Sequence, residues 1–359
     1  MNKNNINDIR THSDFKGITF SQYKKSEVKT QFLNSLKKNK IEDACYWSAE
    51  LICSGHFIDL WDYIIFYFGK HIHLGNPKII TYLDQRFNVF SNIMRQGHSV
   101  NELEVRNNNT IRQIFAEIMG VFNLSKKKNS TEIVKVIREQ DYNITLINSK
   151  LKATSMEFAK IVYRNDDPKE LFIAINEFSF HIINKNMLDA CYWYEWVIDF
   201  NTLCNKNKDK SKCESRDFVN VENKFNNDCI WMLWDVLFYY ANDNPLINTL
   251  MTSTFNMFSI RYSTASCKKR RYLVYFAISL LTEEFSTNTV IISDKNYIKS
   301  VTDQINIVYK QIKKNEFAPN TDYLFNNLEQ DNNLEKSLMK MKLLNSVDTF
   351  TTIQNDEHI

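Results

Sequence analysis

The most suggestive chemistry in this sequence lies in the basic run Lys268-Lys269-Arg270-Arg271, flanked by Arg261, Tyr262, Tyr272 and Tyr275. Cations interleaved with tyrosines on one helix would neutralise phosphates and stack on bases. The residues expected to do so are Arg261, Lys268, Lys269, Arg270, Arg271 and Tyr272. Four consecutive residues span a full helical turn, so only part of the run can face one ligand. A solvated helix start is the competing reading. His71-x-His73, with His56 nearby, has the look of a metal site, but no cysteine or carboxylate at ligand spacing completes it. Histidines finishing a helix near its negative end explain the pair more simply. Cys204, Cys213 and Cys229 are too widely spaced for a zinc knuckle. Cys45 and Cys191 lack the histidine that would activate a nucleophile, and read as small core side chains. Asp43 and Asp189 stand near helix starts, where carboxylates stabilise the dipole. Trp193, Trp196, Trp231 and Trp234 fall at i, i+3 spacing. They read as core between two helices rather than a base-stacking site. No catalytic residue, metal or cofactor site and no small-molecule substrate is expected.

Helices must position these residues. The chain has 359 residues, 43% hydrophobic, with 6 Gly and 4 Pro, and no glycine follows Gly120. Sheet-rich folds need glycine for tight turns, and phosphate-cradling loops need it for close approach. The composition therefore predicts an all-α protein without a nucleotide loop. Near-balanced charge, 45 basic against 42 acidic residues, argues against a general electrostatic coat for DNA but leaves room for a local patch. An odd cysteine count of seven suggests reduced thiols and a cytoplasmic setting. The start of the chain is polar and does not resemble a signal peptide. The most apolar run, Leu60 to Phe68, is too short to span a bilayer.

One unit occurs twice. KIEDACYWSAEL at 40–51 matches NMLDACYWYEWV at 186–197, sharing Asp-Ala-Cys-Tyr-Trp at 43–47 and 189–193. Order is kept downstream. Leu60-Trp61-Asp62 matches Leu233-Trp234-Asp235, Asn76-Pro77 matches Asn244-Pro245, FNVF at 87–90 matches FNMF at 255–258, and Phe115-Ala116 matches Phe276-Ala277. Conserved order is what an internal repeat requires. The repeat signature is Asp43, Tyr46, Trp47, Trp61, Asn76 and Pro77, then Asp189, Tyr192, Trp193, Trp234, Asn244 and Pro245.

The expected organisation is a flexible N-terminal arm (1–26), helical unit one (27–123) and a linker with a helix over Leu151 to Tyr163 (124–167). Unit two (168–287) follows, with a polar insertion near 201–228. A C-terminal helical segment (288–346) and a frayed tail (347–359) complete the chain. Ser54-Gly55 should stop one helix. Each Asn-Pro should place proline in the first turn of the next. The runs Lys126-Lys127-Lys128 and Asn205 to Lys212 read as solvated.

On Ala44, Tyr46-Trp47, Ala49, Ser54-Gly55 and Leu74-Gly75-Asn76-Pro77, unit one resembles the C-terminal helical region of the RarA/MgsA family, AAA+ ATPases related to clamp loaders. The resemblance covers roughly forty residues per copy. Copy two keeps Ala190, Tyr192-Trp193 and Asn244-Pro245 but not the glycines. The family's Arg-Arg pair is replaced around Asp62-Tyr63, and Gly69-Lys70 has no P-loop context. The resemblance implies a duplicated collar without a motor, and an assembly role near replication or repair. With the heavy use of Asn, Lys and Ile, the chain also looks like proteins of large nucleocytoplasmic DNA viruses. The expected function is a non-enzymatic scaffold that binds a protein partner. The alternative is an accessory factor that binds DNA or RNA through 261–275. No membrane association is expected, and the oligomeric state stays open.

Overall fold

The computed structural model describes residues 4–96, 102–206 and 211–317, and among these the regular structure is helical apart from one antiparallel bridge between Ile18 and Lys24. The tail at 347–359, the segment from 318 onward and the middle of the polar insertion lie outside the described residues. The first half contains α1 (Lys25–Lys37), α2 (Ile41–Cys53), α3 (Phe57–Tyr67), α4 (Ile79–Gln96), α5 (Glu102–Arg106) and α6 (Asn109–Leu124). Three one-turn helices follow: α7 (Arg138–Asp141), α8 (Ile144–Ile147) and α9 (Glu157–Lys160). The second half contains α10 (Phe172–Ile183), α11 (Met187–Lys206), α12 (Ile230–Ala241), α13 (Pro245–Ser259), α14 (Thr264–Lys269) and α15 (Arg271–Thr282), and α16 (Lys295–Lys313) returns to pack on α6 and α2. No described helix is long and apolar enough to cross a membrane.

Local chemistry sets the helix ends. Gly55 adopts φ +72°, and the His56 amide closes onto the Leu51 carbonyl at 2.8 Å, the six-to-one bond of a Schellman cap. The α1–α2 turn uses Asn39 at φ +55°, with the Lys40 amide on the Ser35 carbonyl at 2.9 Å. The α10–α11 turn uses Lys185 at φ +56°, with the Asn186 amide on the His181 carbonyl at 2.9 Å. Asn244 accepts from the Leu246 and Ile247 amides and caps α13, with Pro245 in its first turn as expected. Asn76 does not cap. Its side-chain amide donates to the Val290 carbonyl at 2.9 Å, and α4 starts two residues beyond Pro77. Helix α3 is buried along most of its length, from Phe57, Leu60 and Trp61 to Tyr67, as its apolar sequence predicts.

Two expectations fail. The N-terminal segment is no loose arm: Ile6, Phe15 and Phe20 are buried in the core. Arg10 lies 4.8, 4.7 and 4.2 Å from the ring centres of Phe15, Phe20 and Phe317 and pairs with Asp8 at 2.7 Å. The linker is not a solvated tether with a long helix. Only Glu157–Lys160 is helical between Leu151 and Tyr163. Side chains of α10 satisfy that backbone instead. Glu177 accepts from the Lys152 and Ala153 amides, while Asn176 accepts from the Ala159 amide and donates to the Ser155 carbonyl. Further up, the Lys128 and Ser130 amides bond to the Ile72 and Lys70 carbonyls. Lys127 reaches Asn39, and Lys128 pairs with Glu283 at 2.7 Å.

The halves meet along α4 and α13, where Thr81 faces Ser253 at 3.3 Å and Asn256 donates to Asp84 at 2.9 Å. They also meet where the end of α3 approaches α15. There Gly69 permits backbone-to-backbone contact, since a Cβ on it would fall 2.9 Å from the Tyr272 carbonyl carbon. Backbone cannot swing aside as a side-chain tip can. Gly69→Ala is therefore expected to lower stability by about 1–3 kcal/mol, read as a shift of the urea midpoint. An unchanged midpoint would contradict this packing.

Candidate functional site

The basic run does not form one helix. Lys268 and Lys269 end α14, Arg270 is the junction and Arg271 opens α15. The break is tertiary in origin. Arg270 is buried, its guanidinium on Asp62 at 2.8 Å and on the Phe258 and Ile260 carbonyls at 2.8 and 2.5 Å. Tyr272 is buried beneath Lys70, whose ammonium sits 5.1 Å from the ring centre, and against Phe66. Arg271 is half-buried, 3.5 Å from Glu195. Arg270 and Tyr272 therefore cannot contact a ligand in the way the sequence suggested, while Arg261, Lys268 and Lys269 are exposed.

The exposed lysines border a feature the run alone does not reveal. A cleft of about 370 Å³ opens between the last turns of α11 and the start of α14, lined by Ile198, Asn201, Thr202, Lys206, Thr264, Ala265, Cys267 and Lys268. It brings the start of the polar insertion beside the basic run. The signal for it was the high lysine density of the insertion, read above as mere solvation. Lys212, further along, is exposed, and its charge helps to hold down the Asp228 carboxyl, which burial raises. Asp228 accepts from Tyr262 at 3.0 Å and Thr264 at 3.1 Å. Glu195, raised by burial, accepts from Tyr275 at 2.9 Å. Asp199 is held by Arg138 at 2.6 Å. The nearby acids thus have partners of their own.

The repeat signature is divided between core and surface. Trp61, Trp193 and Trp234 are buried, as are Trp196, Trp231 and Tyr192. Trp196 is sealed by the linker: its indole N–H donates to the Asp141 carbonyl at 3.0 Å and its ring lies against Tyr142 and Phe200. Trp47 and Tyr46 are half-buried, with Tyr23 edge-on to Trp47. Asp43 and Asp189 are exposed in the first turns of α2 and α11, as dipole-stabilising carboxylates should be.

The remaining nucleophiles and histidines are enclosed. Burial pushes the Cys45, Cys53 and Cys267 thiols up to about 12, which disfavours the thiolate. His71 and His73 do not finish α3 as a regular helix. The chain there forms a π turn, Phe68–Ile72, with His73 at φ +46°. His71 pairs with Asn129 at 2.9 Å. Burial drops His73 to about 4, and its ring packs edge-on to Phe276. No group of three metal-ligating side chains converges among the described residues. Chemically, this arrangement offers a lysine-rimmed cleft and a set of buried, neutralised groups. No family model, no curated protein and no solved structure matches this chain.

Proposed function

We propose that the chain is a non-enzymatic scaffold built from two copies of one helical unit, with the second copy facing a protein partner. Several geometric parallels support the duplication. Trp61 lies 5.2 Å from Phe87 at 86° and 5.8 Å from Phe90 at 54°. Trp234 lies 5.2 Å from Phe255 at 77° and 5.2 Å from Phe258 at 52°. Asp62 and Asp235, each following its tryptophan, both hold a buried arginine. The left-handed turns at Asn39 and Lys185 extend the correspondence back through α1 and α10. Val28, Phe32 and Leu36 are then matched by Ala174, Phe178 and Ile182, all buried. The matched helices α4 and α13 pack on each other, as the two sides of an isologous interface would.

One observation carries the functional reading. In the same register, the exposed positions Glu27, Lys37 and Glu42 of unit one correspond to Ile173, Ile183 and Leu188 of unit two. These three are 44%, 45% and 57% exposed. Charged residues are the ordinary occupants of such positions, and large aliphatic ones mark contact surfaces. The test is to give unit two the residues of unit one: Ile173→Glu, Ile183→Lys and Leu188→Glu together. Exposed sites tolerate such changes with little loss of stability. Affinity capture from cell extract should recover a discrete partner with the native chain, reduced at least about tenfold with the variant. Equal recovery by both, or none by the native chain, overturns the reading. A second reading, nucleic-acid binding, is favoured by the cleft that joins Lys206 to Lys268.

A further inference from the structure

We propose that the cleft between α11 and α14 holds the phosphodiester backbone of a nucleic acid, without reading its sequence. The inference rests on the second reading above and assigns it to residues outside the basic run. Lys206 and Lys268 line the cleft and are exposed, and Lys269, Arg261 and Lys212 are exposed beside it in sequence. Of the acids around it, Asp199 pairs with Arg138 and Glu195 lies 3.5 Å from Arg271, while Asp228 accepts hydrogen bonds from Tyr262 and Thr264. The five exposed cations outnumber these three carboxylates, so an anion entering meets a net positive rim.

The donor chemistry narrows the ligand. The Thr202 and Thr264 hydroxyls give their protons to the Ile198 carbonyl and to Asp228. The capping box at the start of α14 engages the Ser263 and Ser266 amides. No arginine is among the described residues that line the cavity, so the bidentate fork that selects a terminal phosphate is missing there. Lysine ammonium groups act as point charges. Two of them over an apolar floor of Ile198, Ala265 and Cys267 suit a chain of singly charged diesters. No aromatic ring is among the described residues that line the cleft, so they offer bases no stacking platform. Affinity should be electrostatic and indifferent to sequence.

The test is fluorescence anisotropy with labelled mixed-sequence DNA, single-stranded and duplex, across a salt series. Two variants are compared with the native chain: Lys206→Gln/Lys268→Gln, and Lys295→Gln/Lys299→Gln as a control on exposed lysines of α16. Circular dichroism melts confirm that both fold. The native chain should show log K falling linearly with log salt. The cleft variant should lose about two units of that slope and roughly tenfold in affinity per lost contact near ~0.1 M salt. The control should match the native chain. Native binding with an unchanged slope in the cleft variant overturns the assignment to the cleft and leaves the nucleic-acid reading standing. Absence of native binding to either DNA overturns both. Cleft-dependent binding to phosphatidylserine vesicles without binding to DNA also overturns the proposal.

Discussion

Replacing Arg216 with alanine should lower the unfolding free energy by about 3–5 kcal/mol, the range for stranding a buried charge. Arg216 and Asp167 both have fully enclosed side chains and meet through two bonds of 2.9 and 2.7 Å. The guanidinium also donates to Asp235 at 2.9 Å and to the Glu214 and Val162 carbonyls. It thus ties the insertion to α12 and to the linker. Burial pushes the Asp167 carboxyl up, but the Arg216 bonds and the Arg164 and Glu214 amides pull it further down, so its folded value lies below the ordinary one. A depressed carboxyl contributes stability that is fully present above its unfolded value, near ~3.9, and is lost as pH falls through the folded value. Without Arg216, burial dominates and Asp167 takes up a proton more readily. The deficit of the variant should be largest at neutral pH and shrink toward about pH 4. Arg216→Met with Asp167→Asn removes both charges and should recover most of the loss. Urea unfolding at several pH values reads all of this, and a deficit that grows on acidification would contradict it.

Trp234→Ala should be about as damaging, ~3–5 kcal/mol, because it empties a fully buried site enclosed by Phe238, Phe255 and Phe258. Trp61→Ala should match it in the other half. The more discriminating substitution is phenylalanine. Neither the Trp61 nor the Trp234 indole N–H has an acceptor among the described residues, although both are buried. Removing an unsatisfied donor returns about 1–3 kcal/mol, which offsets much of the lost ring volume. Trp→Phe should therefore be mild at both positions while Trp→Ala is severe. A strongly destabilising Trp→Phe at either site would mean the N–H is satisfied after all.

Much of this architecture was readable from the sequence, for reasons that particular residues make plain. Helical periodicity and scarce glycine gave the all-α class. Trp193, Trp196, Trp231 and Trp234 belonged to the core because their spacing put them between helices. Local signals worked where the cause was local, as at Gly55 and at Asn244-Pro245. They failed where the cause was distant. Nothing near Arg270 says that the helix breaks there, because its partner Asp62 stands 208 residues away in sequence. The linker backbone is satisfied by Glu177 and Asn176 of α10, so its low helical content could not be seen in its own residues. Gly75 looked like a turn glycine. A Cβ there would fall 2.5 Å from the Lys126 carbonyl oxygen, so its role is to let the linker lie flat against it. The cleft was missed because Lys206 and Lys268 lie on different helices, brought together by the packing of α11 and α14 onto α15 and by the Tyr194 hydroxyl on the Cys267 carbonyl.

That flattened linker governs how the molecule handles force and distance. Residues 126–130 are fastened to the first half through Ile72, Lys70 and Asn39 and to the second through Glu283. A strap stitched on both sides leaves no hinge. The exposed aliphatic residues of α10 and α11 and the lysine cleft all belong to the second half, so the strap fixes how that half presents them relative to the first. A pull on the second half would pass to the first through the strap without slack.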